Sequence, residues 1–373
     1  MKDSIESFKR EIGDLRHYIR GIELESQLLS FRSHKTALSE ESSLIRAIQE
    51  HHSEFATKRR QFNYNTIIVS LYGFLEQFVE SLISAYIRYL NMIIPEYENL
   101  PEAIRKNHVT LSLDLLKLSE QSKYREKFST EEIISNLHSC INQTGSYRIN
   151  EIAFIQHTAN FRADVIQEFF AKVGVEGVSG RIKYSSVFIN YLKSKHPNRE
   201  IEDIKRDSEY LFYLNDLAER RNEVAHGTLA DELLSNDILS EYINFSECYG
   251  EALYEVVYSE ALPYMIQYLP QEEVIELGKP IKIFQNGKII GIFLKNISVS
   301  KGDLIIAGTN NKKLPYLAGE ITEIQINNVS YEKISVDTEG KEVGIRIPFR
   351  AKEKHNIYII FNQHRKTVNN RKV

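Results

Sequence analysis

The stretch Tyr64–Ile83, YNTIIVSLYGFLEQFVESLI, carries apolar side chains on nearly every face when wound at about 100° per residue. Ile67, Ile68, Val69, Leu71, Tyr72, Phe74, Leu75, Phe78, Val79, Leu82 and Ile83 leave no broad polar side to face water. A helix of this kind belongs in the middle of a domain, covered by other elements. The pattern extends from Phe62 to Ile94; Asn63 or Asn65 is placed to cap its start, and Pro95 stands where a helix stops. Glu76 and Glu80 lie four residues apart and share one face, either as an exposed stripe or as a pair aimed into a site.

Toward the N-terminus, Ile5, Phe8, Ile12, Leu15 and Ile19 recur at spacings of three and four, one face of a helix. A second helix is expected from the Ser39–Ser43 cluster toward Arg60, which makes residues 1–60 an antiparallel helical hairpin. Residues 97–200 read as short helices joined by polar loops, with Gly174, Gly177 and Gly180 in one loop and Pro197 in another. The GVEGVSG segment follows a helix rather than a strand, so it is a poor phosphate-cradling loop. A long helix is expected from about Ile201 to Ala225, stopped by Gly227, and a last one from about Leu239 to Tyr268.

After Pro270 the period changes to two and β-branched residues dominate. PIKIFQNGKIIGIFL reads as two strands joined at Asn286–Gly287, a strong hairpin signal. Further strands are expected near 303–308, 319–326, 342–348 and 356–361. The fold class that follows is multidomain α plus β, an all-helical bundle and then a small antiparallel β-barrel. The expected divisions are a hairpin at 1–60, a helical domain at 61–270, a barrel at 275–363 and a basic tail at 364–373.

Of 373 residues, 42% are hydrophobic, enough for buried cores. The charged N-terminus MKDSIESFKR does not read as a signal peptide, and no run of about 18 apolar residues occurs, so a soluble cytoplasmic protein is expected. Cys140 and Cys248 match no zinc spacing, and His51, His52, His138, His157 and His196 form no ligand pattern; no metal site and no cofactor are expected. The net charge of −4 is unevenly spread. Residues 275–373 hold 13 Lys and 4 Arg against 9 acidic residues, a net of +8, which leaves −12 on the rest. A basic module on an acidic body suggests an anionic partner for that module.

The segment that carries chemistry is Ala218–Gly227, AERRNEVAHG. On a helix Asn222 and His226 lie about 40° apart on one face, and Arg221 lies beside Asn222. His226 falls in the last turn, where the negative end of the helix dipole favours an imidazolium. These residue types suit RNA cleavage without metal. A base removes the proton of a ribose 2′-hydroxyl, which attacks the adjacent phosphate. His226 fits as that base or as the acid for the leaving oxygen, Arg221 as the phosphate holder, and Asn222 as the group that orients imidazole or substrate. One chain offers one such histidine; two chains facing each other offer two.

RRNEVAHG resembles the Arg-polar-x-x-x-His signature of the HEPN superfamily, with Arg221, Asn222 and His226 in the motif positions. YNTIIVSLYGFLEQFVESLI resembles the first core helix of HEPN-like nucleases of bacterial defence and toxin systems. INEIAFIQHTANFRADVIQEFFAKVGV resembles a segment upstream of the motif in one branch of them. The resemblance spans about residues 40–268. It implies a metal-independent endoribonuclease acting as a homodimer and leaving a 2′,3′-cyclic phosphate; a separate reading of the chain is a nuclease held in check or triggered by an inhibitory or activating protein partner. A second resemblance covers residues 280–361: NGKIIGIFLKNISVSKGDLIIAG, GEITEIQINN and EGKEVGIRI are similar to the second domain of elongation-factor Tu and related translation GTPases. It implies an RNA-contacting barrel, with tRNA as a candidate ligand, and no P-loop accompanies it. Lys312, Lys313, Arg346 and Arg350 are candidate RNA contacts from charge and loop position. The competing expectation is a non-catalytic RNA- or ribosome-binding scaffold that uses the helical domain for assembly.

Overall fold

The computed structural model describes residues 1–30, 40–119, 129–142, 146–227 and 233–362; the tail expected at 364–373 lies outside the described residues. Helices come first: α1 (Lys2–Ser30), α2 (Glu40–Ile93), α3 (Glu102–Ser119), α4 (Thr130–Asn142), α5 (Glu151–Phe154), α6 (Ala163–Ala171), α7 (Val178–Ile182), α8 (Ser186–Lys195), α9 (Asp207–Tyr210), α10 (Phe212–Ala225) and α11 (Asn236–Tyr268). Antiparallel β-structure follows. The chain divides into two compact units, one of Met1–Ile83, His157–Phe169 and Asn190–Glu251, the other of Ser84–Gln156, Phe170–Ile189 and Ala252–Val373.

In the first unit, the two helices expected on either side of residue 60 are one helix of 54 residues. Residues 40–93 contain no proline, and extending an existing helix avoids the cost of a new nucleus. Asn63 and Asn65 are therefore interior and cap nothing; the Asn63 side chain instead accepts the Tyr18 hydroxyl at 3.0 Å. Helix α1 runs antiparallel along α2. Gln49 donates to the Leu29 carbonyl, Arg59 pairs with Glu25 at 2.6 Å, and Phe8 stacks on Phe78 with ring centroids 4.7 Å apart. Ile5, Phe8, Ile12, Leu15 and Ile19 are all buried, as their spacing predicts. Each such side chain contributes about 1.5–3 kcal/mol of burial free energy. Helix α2 is, among the described helices, long and apolar enough to cross a membrane, and half of its apolar window is buried within the protein.

The long helix expected over 201–225 is broken. Ile201–Asp203 forms a short 3-10 turn, and α9 and α10 are separate. Arg206 is extended (φ −91°, ψ 130°) and its N–H donates to the Glu209 carboxylate at 3.1 Å, so the chain restarts there rather than continuing.

In the second unit, His108 is fully buried. Its Nε2 accepts the Asn150 N–H at 3.0 Å, and burial pushes its pKa down to about 4, so the ring is a neutral packing element. Among the described residues eleven strands follow: β1 (Val274–Gly278), β2 (Lys282–Phe284), β3 (Ile289–Leu294), β4 (Ile297–Ser300), β5 (Leu304–Gly308), β6 (Tyr316–Glu320), β7 (Glu323–Ile326), β8 (Val329–Tyr331), β9 (Lys333–Val336), β10 (Lys341–Arg346) and β11 (Asn356–Ile360). They form three antiparallel sheets, in the orders β1-β11-β5-β6, β2-β3-β10-β7-β8 and β4-β9. All three face one core that includes Ile290, Ile292, Val299, Ile305, Ile324, Val336, Val343, Ile345, Ile357 and Ile359. The expected Asn286–Gly287 turn joins β2 to β3 with both residues at positive φ, and a Cβ on Gly287 would stand 2.4 Å from the Ala351 carbonyl oxygen. The single strand expected at 319–326 is two, β6 and β7. The Arg181 side chain, tied to Glu260, donates to the Lys313 carbonyl at 2.8 Å and so anchors the β5–β6 loop to helical residues of the same unit.

Gly250 in α11 marks a close approach. A Cβ there would meet the Phe8 ring at 2.5 Å, and that ring is buried and stacked on Phe78. Gly250→Ala should therefore destabilise the protein by about 1–3 kcal/mol despite alanine's better helix propensity. Equilibrium urea unfolding measures this, and an unchanged or raised midpoint would refute the packing account.

Candidate functional site

Helix α10 places two adjacent arginines in opposite settings. Arg220 points inward, where its Nε meets Asp216 at 2.5 Å and the Tyr242 hydroxyl at 3.3 Å, and its Nη1 donates to the Tyr64 hydroxyl at 3.1 Å. Tyr242 also bonds to Asp216. This cluster fixes the rotation of α10 in its bundle. Arg221, one residue on, is then turned to a partly open face.

Three elements meet around Arg221: α10, the middle of α2, and the segment 157–162. The Arg221 guanidinium lies over the Tyr72 ring, 5.1 Å from its centroid, a cation–π placement. Its Nη1 donates to Asn160 Oδ1 at 3.3 Å and approaches Asn222 Oδ1 at 3.4 Å. Asn160 Nδ2 donates to Asn222 Oδ1 at 2.8 Å, closing the triangle. Among the described residues, Nε and Nη2 of Arg221 carry no protein hydrogen bond. That fork of donors suits two oxygens of a phosphate.

The segment carrying Asn160 is held from below. The Tyr72 hydroxyl accepts the Phe161 N–H at 2.8 Å, and burial raises its pKa to about 12, so it stays a neutral phenol and is no base near neutrality. His157 stacks on Phe161 with centroids 4.3 Å apart and meets Phe169 edge-on. Its Nε2 lies 2.8 Å from Glu80 Oε1 and 3.8 Å from Glu76 Oε1, while Nδ1 lies 2.9 Å from the Ala159 carbonyl. Both ring nitrogens face acceptors, which favours the doubly protonated ring. The Glu80 hydrogen bond, opposed by burial and aided by Ala159 and Glu76, raises the His157 pKa above 6.5.

His226 caps the end of α10. Its N–H bonds the Asn222 carbonyl at 2.9 Å, and Gly227 at φ 67° turns the chain out of the helix. Its imidazole is exposed and has no protein hydrogen-bond partner among the described residues. The three motif residues thus share one helix end, but Asn222 is committed to Asn160 and Arg221, not to the imidazole. Spacing alone missed Asn160, Tyr72 and His157. The shared face of Glu76 and Glu80 and the family-like segments around Tyr72 and around His157–Asn160 are the sequence signals that point there, and both carboxylates face His157.

Lys312 and Lys313 are exposed in the β5–β6 loop, and Arg350 is exposed after β10. Arg346 is occupied, pairing with Glu323 at 2.8 Å and with Gln285 at 2.8 Å. No group of three or more His, Cys, Asp or Glu side chains among the described residues is placed to hold a metal ion.

Residues 36–259 match a family model described as RiboL-PSP-HEPN, a span that contains every residue of the Arg221 cluster. No curated protein matches the chain.

The His157 pair makes a pH prediction. A group with a raised folded pKa stabilises fully below its unfolded value, near 6.5, and the contribution fades as pH rises through the folded value. Wild type should lose more of its urea midpoint than Glu80→Gln between about pH 5.5 and about pH 8.5. Equal losses in the two proteins would refute the pairing.

Proposed function

Since this chain belongs to the RiboL-PSP-HEPN family, we propose that it is a metal-independent endoribonuclease with Arg221 and His226 as its working groups. The observation that carries this reading is the Arg221 fork, fixed by Asn160, Asn222 and the Tyr72 ring, with the exposed imidazole of His226 five residues further along. Preorganised donors of this kind act most strongly where charge develops in a transition state.

In the proposed reaction the ribose 2′-oxygen forms a bond to phosphorus as a base takes its proton. The bond from phosphorus to the 5′-oxygen breaks, and an acid returns a proton to that oxygen. The products are a 2′,3′-cyclic phosphate and a 5′-hydroxyl. Arg221 offsets the charge on the non-bridging oxygens. His226 serves as base or acid, and a second copy of the chain supplies the other imidazole, making the site composite and the active form a homodimer. Asn160 and Asn222 are positioning residues that keep the guanidinium in place.

The β module, a small barrel over residues 275–363 in this reading, supplies affinity for RNA through its positive charge. Its likeness to the second domain of elongation-factor Tu points to tRNA or other translation-related RNA as substrate, and to a toxin or antiphage effector acting in the cytoplasm under control of a protein partner. Lys312, Lys313 and Arg350 are the module's proposed contacts; Arg346, tied to Glu323, is not among them.

Purified wild type should cleave total or transfer RNA in the presence of EDTA. Arg221→Ala and His226→Ala should each lower the rate by about 10²–10⁴-fold, the usual worth of a general acid–base group. Asn160→Ala should give a smaller loss. Mapping cleaved RNA ends checks all three. Undiminished cleavage by His226→Ala would favour the scaffold reading, with any observed activity coming from elsewhere.

A further inference from the structure

A second guanidinium stands beside the Arg221 fork. The segment 160–163 lies along one stripe of α10 and is tied to it three times. Asn160 Nδ2 donates to Asn222 Oδ1 at 2.8 Å, Arg162 Nη2 lies 3.5 Å from Glu219 Oε1, and the Ala163 N–H donates to Asn215 Oδ1 at 3.0 Å. Asn215, Glu219 and Asn222 fall within about 60° of one another around the helix. Burial alternates along the segment: Phe161 and Ala163 are buried, Asn160 is half-buried and Arg162 is exposed. The backbone under Arg162 is fixed on its own account. The Phe161 N–H is held by the Tyr72 hydroxyl, the Arg162 N–H donates to the Asn160 carbonyl at 2.9 Å, and the Arg162 carbonyl accepts the Ile166 N–H at 2.9 Å. Glu219 and Asn222, three residues apart on α10, are neighbours with Cβ atoms about 5–6 Å apart. The Arg162 guanidinium rests against the first and that of Arg221 against the second.

We propose that Arg162 is a second phosphate subsite, taking the RNA phosphate next to the one that Arg221 holds, and that Glu219 fills this subsite when no RNA is bound. The subsite deepens the nuclease reading above and rests on it for the identity of the ligand. The Arg162–Glu219 pair is loose. Its side chains are 45% and 58% exposed and stand 3.5 Å apart, a setting in which an ion pair gains little over two solvated charges. An arginine that only fastened α10 would be drawn in and bonded several times, as Arg220 is. A phosphate presents oxygens to the guanidinium fork much as a carboxylate does, so one anion replaces the other and the arginine stays paired. The displaced carboxylate of Glu219 remains beside the incoming phosphate and repels it. Glu219 therefore sets a threshold. A ligand with one phosphate engages Arg221 alone, whereas a polynucleotide engages Arg221 and Arg162 together and gains enough to displace Glu219. The pair of subsites thus selects an RNA strand over a mononucleotide.

Fluorescence anisotropy of the full-length chain with a labelled, mixed-sequence single strand of 2′-O-methyl RNA tests this. The probe keeps its phosphates but lacks the hydroxyl that attacks, so binding is read with the chemistry switched off. Kd is measured across a series of salt concentrations. Arg162→Ala should raise Kd severalfold and lower the slope of log Kd against log salt by about 0.7, the share of one phosphate on a single strand. Arg162→Lys should keep the wild-type slope, because the charge persists. Glu219→Gln should lower Kd, the opposite direction to Arg162→Ala. An ion pair that serves the fold alone predicts the same direction for both, with parallel losses of urea midpoint. Should alanine unfold the segment, Arg162→Gln repeats the measurement with the length of the side chain kept. An unchanged slope in the neutral variants of Arg162, or weaker binding by Glu219→Gln, would overturn the subsite. Wild type that does not bind the probe at all would overturn both this subsite and the nuclease reading. Binding with the expected slopes by a protein that cleaves no unmodified RNA would overturn the nuclease reading alone.

Discussion

A helix that is apolar on nearly every face is stable only where other elements cover most of it, and that constraint organises the first unit. Between Tyr64 and Ile83, α2 is buried at Ile67, Ile68, Leu71, Leu75, Phe78, Val79, Leu82 and Ile83. Helix α1 covers one side, the 157–169 segment another, and α10 a third. With these elements packed around a common rod, Thr66, Val69 and Gln77 stay exposed, and other polar groups of α2 fall in the seams between elements. Tyr72, Glu76 and Glu80 lie in one seam, and the candidate site is built in it. A polar atom in such a seam costs free energy unless it is bonded. The Tyr72 hydroxyl meets the Phe161 N–H, and Glu80 meets His157. The site's scaffolding is thus the means by which a central helix accommodates its own polar residues.

That origin explains which parts were legible in the sequence. The buried face of α1 and the all-round apolar character of α2 follow from periodicity, because burial repeats with the helix turn. The hairpin at Asn286–Gly287 was legible because both residues must adopt positive φ, which few other pairs tolerate. The uninterrupted α2 was not, because a polar stretch before Phe62 looks the same whether a helix ends or merely protrudes. The break at Arg206 was also hidden: it depends on one carboxylate, Glu209, bonding one backbone N–H, against residues that otherwise favour helix.

The same distinction applies within the site. Arg221, Asn222 and His226 sit on one element, so spacing along a helix brings them together. Asn160 and Tyr72 reach Arg221 from sequence positions about 60 and 150 residues away. No periodicity links such residues; only packing does. Spacing also cannot assign hydrogen bonds. On a helix Asn222 and His226 look like partners, yet the Asn222 side chain accepts from Asn160, and His226 is the C-cap residue at the end of α10.

The two arginines show how one change of residue divides support from function. Arg220 and Arg221 are chemically identical and differ by about 100° around the helix. Arg220 spends its donors on Asp216, Tyr64 and Tyr242, and its pKa is raised by those bonds against the cost of burial. It therefore acts as a fastener that sets the rotation of α10. Arg221 can face outward with open donors because its neighbour has fixed that rotation. A guanidinium free on both counts would swing through many rotamers and lose that entropy each time it gripped a phosphate. Held at one corner by Asn160 and from beneath by the Tyr72 ring, it has already given up that freedom in the folded state. The stability of the Arg220 cluster and the readiness of Arg221 are consequently one property of the helix, and neither residue can be understood with the other removed.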